Sequence, residues 1–204
     1  MAATPLREAP RDVRSHHSMT PKILTCCLQL SEIAKQEEAL ILSHFTADDA
    51  LEIGLAIRNR LRALSPLSAV VNITLANSNN LLFHAVSRPG LQPDNDIWVA
   101  RKRKTVQRWG VSTWFMHNKM HGDEEAFKRK YMLGETAGEY AIHGGGVPVR
   151  VHGVEGIVGV IVVSGLKQHE DHQAVVEGLE DFIRGSEKEP QSPTQTLVED
   201  RSTF

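Results

Sequence analysis

Four consecutive basic residues, 101–104, form the segment whose residue types and spacing point most directly to chemistry. On a helix of about 100° per residue, Arg101, Lys104 and Arg108 share one narrow face, which we call the cationic stripe. Three interpretations of the stripe stay open. It is a solvated helix surface, a site that binds carboxylate or phosphate, or an ion-paired subunit interface to which Asp94 and Asp96 could contribute.

Lys102 falls on a different face of the same predicted helix, among apolar neighbours. If that face packs on the core, its ammonium group needs a partner, because an unpaired buried charge is costly. Otherwise its aliphatic stem lies under Trp98 and the charged end reaches water. The residues that share or flank this face are Trp98, Val99, Thr105, Val106 and Trp109.

A second candidate is the run of three glycines in "HGGGVP", residues 143–148. Gly144, Gly145 and Gly146 would let backbone N–H groups approach a ligand oxygen closely. The alternative is a loop that needs positive φ angles. The run is neither a phosphate-binding loop of the Walker type nor a dinucleotide-binding motif.

Histidines and acidic residues supply weaker candidates. In "SGLKQHEDHQ", residues 164–173, the segment "HEDH" could bind a metal, act as an acid–base pair, or stabilise the first turn of a helix. Its H-x-x-H spacing does not match the zinc-protease motif. His84, His143 and His152 lie on or beside predicted strands and could ligate haem or a metal, or be structural. No nucleophile elbow is present, so catalytic residues stay unknown and enzyme activity stays open.

Composition restricts the class of protein. The net charge of −2 and the 41% apolar content predict a globular chain without general affinity for nucleic acid or membrane surfaces. No apolar run approaches the roughly 18 residues of a membrane span. Cys26 and Cys27 are adjacent, a poor geometry for a disulfide, so we expect reduced thiols and a cytoplasmic location.

The order of predicted elements indicates an α+β layered domain at residues 21–184, between disordered tails at 1–20 and 185–204. Thr46 and Asp49 form a variant of the capping box at the start of the second helix. Helices are predicted at 30–45, 47–64, 97–109, 116–120, 124–133 and 169–184, and strands at 69–76, 81–86, 147–154 and 156–165.

Three segments together resemble a small uncharacterised family grouped with the haem-degrading-domain proteins of the HbpS and GlcG kind. They are "DNDIWVARKRKTVQRWGVST", "HGGGVPVRV" and "GIVGVIVVSGLKQHEDHQAVVEGL". The similarity covers roughly residues 31–184. The chain departs from the family pattern at Val147, where an aromatic residue is frequent, and at Thr113, where the family has serine.

The resemblance implies a profilin-like α-β-α fold, with a five-stranded antiparallel sheet between helices. It implies homo-oligomers, either dimers or larger rings of dimers, and it allows haem or iron binding through His84, His143 or His172. Residues at family positions are Asp94, Asn95, Trp98, Arg101, Lys102, Thr105, Gly110, Ser112, Gly144, Gly145, Gly146, Pro148, Ser164, Gly165, Asp171 and His172.

Three hypotheses about function follow. In the first, Arg101 and Lys102 hold a small anionic ligand, Gly144–Gly146 supply backbone donors, and Asp94 and Asn95 belong to the same site. In the second, the chain is a non-catalytic adaptor that binds other proteins. In the third, it binds haem or iron. Trp98, Trp109 and Arg101 are the predicted subunit contacts, because aromatic side chains anchor interfaces.

Overall fold

The computed structural model describes residues 19–186, with side chains from residue 29 onward. The predicted tails lie almost wholly outside these residues and stay predictions. The helices are α1 (Met19–Glu38), α2 (Ala47–Leu64), α3 (Asp94–Trp109), α4 (Thr113–Lys119), α5 (Glu124–Lys130) and α6 (Gln168–Ser186), with a 3-10 helix at Gly134–Glu139. The strands are β1 (Ile41–Leu42), β2 (Val70–Leu75), β3 (Leu81–Val86), β4 (Gly146–Val151) and β5 (Gly159–Ser164).

The strands form the predicted five-stranded sheet, in the order β1-β4-β5-β2-β3. All pairs are antiparallel except β1 with β4, which are parallel. The prediction of a wholly antiparallel sheet is therefore wrong at this edge. The predicted helix at 30–45 is wrong in the same place, because α1 ends at Glu38. Leu40 and Leu42 both point into the core, which is the period of a strand.

Each face of the sheet carries its own apolar layer, as the alternation of side chains along β5 shows. Ile161 and Val163 pack into the core beneath α2 and α6. Val160 and Val162 face the opposite way, toward Val99 and Val106 of α3. The chain therefore has the predicted layered α-β-α arrangement, with α3 on one face of the sheet.

The beginnings of two helices are fixed by side chains. The Asp49 backbone N–H donates to the Thr46 hydroxyl, and the Thr46 N–H donates to the Asp49 carboxylate, which confirms the capping box of α2. Glu37, at the end of α1, accepts from the backbone N–H of Ser112 at the start of α4. Burial raises the pKa of Glu37.

Within residues 19–186 no helix is long and apolar enough to cross a membrane.

Helix α6 meets α2 at a glycine that leaves no room for a side chain. A Cβ atom at Gly178 would lie 2.3 Å from Ile57 Cγ1, and Ile57 is fully buried. We expect Gly178→Ala to lower the free energy of unfolding by about 1–3 kcal/mol through overpacking, measured by urea denaturation.

Gly185→Ala is the matched control, because Gly185 lies on the same helix with nothing within 4 Å of the added Cβ. It should be neutral or stabilise by up to about 1 kcal/mol, as alanine favours helix over glycine. Equal losses from both substitutions would contradict this account of the α2–α6 contact.

Candidate functional site

Helix α3 carries most of the predicted site residues and begins three residues earlier than predicted, at Asp94. Asp94 and Asp96 lie in its first turn and Arg108 in its last, which complements the helix dipole. Gly110 ends the helix in the left-handed conformation, at φ 66°. The four consecutive basic residues, 101–104, lie in the middle of the helix.

Lys102 is buried and forms an ion pair with Asp171. Its Nζ atom lies 3.0 Å from Asp171 Oδ2 and 2.9 Å from the carbonyl oxygen of Val163. The two side chains are 4% and 3% exposed, so the ammonium group does not reach water. The Leu166 N–H donates to the other carboxylate oxygen. Burial raises the pKa of Asp171, and the charge of Lys102 and the backbone donors oppose that rise.

The glycine run packs directly against this ion pair. Gly145 has φ 118°, and a Cβ there would lie 2.3 Å from the Val163 carbonyl oxygen and 2.9 Å from Lys102 Nζ. At Gly144 a Cβ would lie 2.3 Å from the carbonyl oxygen of Gln168. The run is glycine because other parts of the chain lie too close for side chains.

Two backbone donors of the run are already used within the chain. The Gly146 N–H donates to the Thr113 hydroxyl, and the Gly144 N–H donates to the Gln168 side-chain oxygen. The structure therefore brings Lys102 and Gly144–Gly146 together. Lys102 and two of the glycine N–H groups, however, form their hydrogen bonds with other residues of the chain. Their contact with a ligand stays a prediction.

The cationic stripe holds the segment that precedes the glycine run. Arg101 Nε donates to the Tyr140 carbonyl oxygen over 3.1 Å, and Arg108 donates to the Tyr140 hydroxyl over 2.9 Å. Lys104 pairs with Glu139. All three cations thus contact residues 139–140. Arg108 also lies over the Trp109 ring, and Arg101 also contacts a second group of side chains.

That second group forms what we call the basic–aromatic patch, consisting of Trp98, Arg101 and His143. The guanidinium carbon of Arg101 lies 4.5 Å from the Trp98 ring centroid. The rings of Trp98 and His143 are 4.9 Å apart at 72°, in an edge-to-face contact. All three residues are half-buried. The patch therefore combines a guanidinium group, an indole and an imidazole at the surface.

Asp94 and Asn95, predicted as ligand contacts, support the start of α3. The Trp98 indole N–H donates to Asp94 Oδ2 over 2.7 Å, which fixes the ring. The Asn95 side-chain oxygen accepts from the Gln92 backbone N–H. Asp94 is thus joined to the patch through Trp98, whereas Asn95 is engaged at the helix start.

Burial, together with two positive neighbours, favours the neutral form of His143. Its pKa is lowered by burial, and further by the charges of Lys102 and Arg101, while Glu124 opposes the shift. Nδ1 of His143 lies 3.2 Å from a Glu124 oxygen. A neutral imidazole can accept a hydrogen bond or ligate a metal. Arg101 has no carboxylate within ion-pair distance among the side chains of residues 29–186.

The remaining histidine candidates do not converge. His84 contacts the Asn72 amide, His152 is exposed, and His172 is fully buried. In the predicted "HEDH" segment, Glu170 accepts from the Lys167 N–H. No group of three His, Cys, Asp or Glu residues suited to a metal ion occurs in the part of the chain that the structure describes.

Of the predicted interface aromatics, Trp109 packs inside the chain. Its ring contacts Phe127, Tyr131 and Tyr140 at centroid distances of 4.9–5.2 Å. Trp98 lies in the patch. The interface roles of Trp98, Trp109 and Arg101 stay predictions, as does the homo-oligomer.

Sequence reasoning missed Tyr140 and Glu124 at the site. Glu124 begins the short helix α5, and Tyr140 directly follows the 3-10 helix at Gly134–Glu139. The position of both relative to α3 depends on tertiary packing, and no local sequence pattern identifies which group each one contacts.

Comparisons with known proteins agree with the fold. The family model described as haem degrading protein HbpS-like matches residues 45–180. The UPF0303 protein SCO2848 of Streptomyces coelicolor is 41% identical over 154 residues, which cover 76% of this chain and 93% of that protein. The UPF0303 protein YBR137W of Saccharomyces cerevisiae is 35% identical over 161 residues, which cover 78% of this chain and 87% of that one.

Solved structures give the same result. The crystal structure of the Ybr137w protein superposes with a TM-score of 0.73 at 33% identity, over 82% of this chain and 97% of that chain. The crystal structure of HbpS superposes with a TM-score of 0.53 at 21% identity, over 68% of this chain and 89% of that chain, and this likeness shows the fold alone. The resemblance stated from the sequence is confirmed.

The buried ion pair makes a pH-dependent prediction. Lys102→Met should lower the free energy of unfolding by about 3–5 kcal/mol near neutral pH, because it leaves the Asp171 carboxylate buried without a counter-charge. The loss should shrink between about pH 7.5 and about pH 5.5. Burial already raises the pKa of Asp171, and without Lys102 the folded state binds a proton there more readily. Urea denaturation at the two pH values measures both effects.

The double variant Lys102→Met/Asp171→Asn supplies the control, because a neutral amide needs no counter-charge. Its loss should be smaller than the sum of the two single losses by at least about 1 kcal/mol. Additive losses, together with a Lys102→Met cost that does not vary with pH, would show that the pair is not coupled.

Proposed function

The chain belongs to the haem-degrading HbpS-like protein family, and we propose that it binds a small planar anion at the basic–aromatic patch. One observation carries the proposal. Arg101 is stacked on Trp98 and half-buried, yet it is not neutralised by a carboxylate among the side chains of residues 29–186. A guanidinium group in this position is suited to a carboxylate, which it binds through two parallel hydrogen bonds.

The way Arg101 is held supports this role. Its Nε donates to the Tyr140 carbonyl oxygen, and within the described chain no hydrogen bond uses its two terminal nitrogens. The guanidinium group is therefore fixed through Nε, while its two terminal nitrogens can donate to a carboxylate. Less side-chain entropy is lost on binding, because the rotamer is already fixed.

The two rings of the patch favour a planar ligand. Trp98 offers an apolar surface whose orientation is fixed by its hydrogen bond to Asp94. His143 is neutral, so it can exchange a hydrogen bond with the ligand without adding charge. In this proposal Lys102 and the glycine run support the patch from inside the chain and do not contact the ligand. Lys102 is paired with Asp171, and the run follows His143 directly and ends at the first residue of β4.

Haem is a second candidate ligand, favoured by the position of His143. Haem is planar and carries two carboxylates, and a neutral, half-exposed imidazole is the donor that its iron takes in many proteins. His143 would hold the haem iron through a ring nitrogen, and Arg101 would pair with one of the haem carboxylates. When bound, haem would supply redox chemistry at the iron. His172 is a poorer candidate because it is fully buried.

Titration calorimetry with benzoate, a planar carboxylate, tests the main proposal. Arg101→Ala should weaken binding about tenfold or more, because hydrogen bonds to charged groups contribute about 1.5–3 kcal/mol. Arg101→Lys should recover only part of the loss, since an ammonium group cannot form the paired contact.

Arg103→Ala is the control, because Arg103 lies two positions further along α3 and so points in a different direction. The Arg103→Ala variant should bind benzoate with the same affinity as the unchanged protein. If Arg101→Ala melts normally and binds benzoate as tightly as Arg103→Ala does, the patch is not the anion site. A protein that binds no carboxylate and no haem would instead favour the adaptor hypothesis.

Haem titration followed by absorption tests the second candidate. The expected result is a shifted Soret band that saturates at one haem per chain and is lost in His143→Ala. His152→Ala, at an exposed histidine, should leave the band unchanged. A spectrum of the unchanged protein that equals free haem would remove haem as the ligand while leaving the carboxylate proposal intact.

A further inference from the structure

We propose a second binding site, inside the protein between α4 and α6, where Trp114 and His172 hold one small neutral hydrogen-bonding molecule the size of water. This site is separate from the basic–aromatic patch and does not depend on the proposed function. It is defined by side chains from two helices far apart in sequence, Trp114 on α4 and His172 on α6.

The first argument is the polar atoms that these side chains bury. Trp114 is 2% exposed and His172 is 0% exposed. Within residues 29–186 no hydrogen-bond partner is present for Nε1 of Trp114 or for either ring nitrogen of His172. Three such atoms on two neighbouring rings are unusual, because buried polar groups are nearly always paired with protein or with ordered water.

The second argument is geometry. The rings of Trp114 and His172 are 6.2 Å apart between centroids and are tilted by 32°. The two rings are therefore neighbours that make no direct hydrogen bond to each other, and in this proposal a molecule of water size lies between their nitrogen atoms. One molecule that bonds to both rings would pair the indole N–H and at least one imidazole nitrogen.

The chemistry of the two rings selects a neutral molecule. Burial lowers the pKa of His172 to about 3, so the ring is uncharged at neutral pH and offers one N–H donor and one acceptor nitrogen. Trp114 offers a donor only. The bound molecule must therefore accept from the indole and also bond to the imidazole. The adjacent carboxylate of Asp171 is paired with Lys102, so it is not available to balance a cation.

The surroundings of the site are closely packed. His117 stacks on Trp114 with ring centroids 5.1 Å apart and 6° between planes, and it contacts the Gln168 amide. A Cβ at Gly144 would lie 3.1 Å from Cε3 of Trp114. There is thus no space beside the indole for a side chain at Gly144, and the glycine run borders this site as well as the ion pair.

The unchanged full-length protein provides the first test, in buffer without added ligand. A high-resolution crystal structure should show one ordered molecule within hydrogen-bond distance of Trp114 Nε1 and a nitrogen of His172. In solution, the indole N–H of Trp114 should show a nuclear Overhauser contact to a long-lived water. A well-ordered region with no such molecule, and an indole N–H without that contact, would overturn the proposal. A larger polar molecule in the same place would support the site but revise the occupant.

The substitution His172→Leu gives a second test with opposite expected signs. If the bound molecule is present, removing its imidazole partner lowers the folding equilibrium constant by about tenfold, because the Trp114 N–H loses its bridge. If it is absent, removing two unpaired buried nitrogens raises the constant instead. His152→Leu controls for the same change at an exposed position. Should His172→Leu fail to fold, the crystallographic and nuclear magnetic resonance results still decide the question.

Discussion

The ion pair between Lys102 and Asp171 is the constraint on which the rest of the site depends. It joins the middle of α3 to the beginning of α6. Lys102 also donates a hydrogen bond to the Val163 carbonyl oxygen, near the end of β5. Taking both charges out of water is expensive, and a buried pair contributes little net stability compared with apolar groups. Its effect is to make any arrangement that separates Lys102 from Asp171 unfavourable, and this fixes α3 against the sheet.

The glycine run follows from that constraint. Lys102 Nζ and the Asp171 Cβ lie where a side chain at Gly145 would be, so the loop can pass only as glycine with a positive φ angle. His143 lies immediately before this loop, and the stripe contacts at Tyr140 hold the chain three residues earlier. The position of the imidazole beside Trp98 is therefore determined from both sides. The same packing accounts for the three consecutive glycines, Gly144–Gly146.

Much of the fold could be predicted from local patterns. The capping box at Thr46 and the strand predicted at 156–165 each depend on residues close in sequence. The structure confirms the capping box and places β5 within the predicted strand. Strand β1 could not be predicted, because two residues carry too little periodicity to separate a strand from the end of a helix. The identity of the partner of Lys102 was also out of reach, since Asp171 lies 69 residues away. The sequence predicted that Lys102 would need a partner if buried, but only the tertiary fold identifies it.

Buried groups on either side of the site respond to acid in opposite directions. The pKa of His172 is lowered to about 3, so below its ordinary value of 6.5 the unfolded chain binds a proton that the folded chain does not. The stability associated with His172 is therefore complete above about pH 6.5 and declines as the pH falls toward 3. Glu37, between α1 and α4, has a raised pKa because it is buried. Its folded form binds a proton first, so its contribution grows as the pH falls and is lost as the pH rises through the raised pKa. Mild acid thus weakens the core around α6 while it relieves the buried charge that joins α1 to α4, and both groups lie near the beginning of α4.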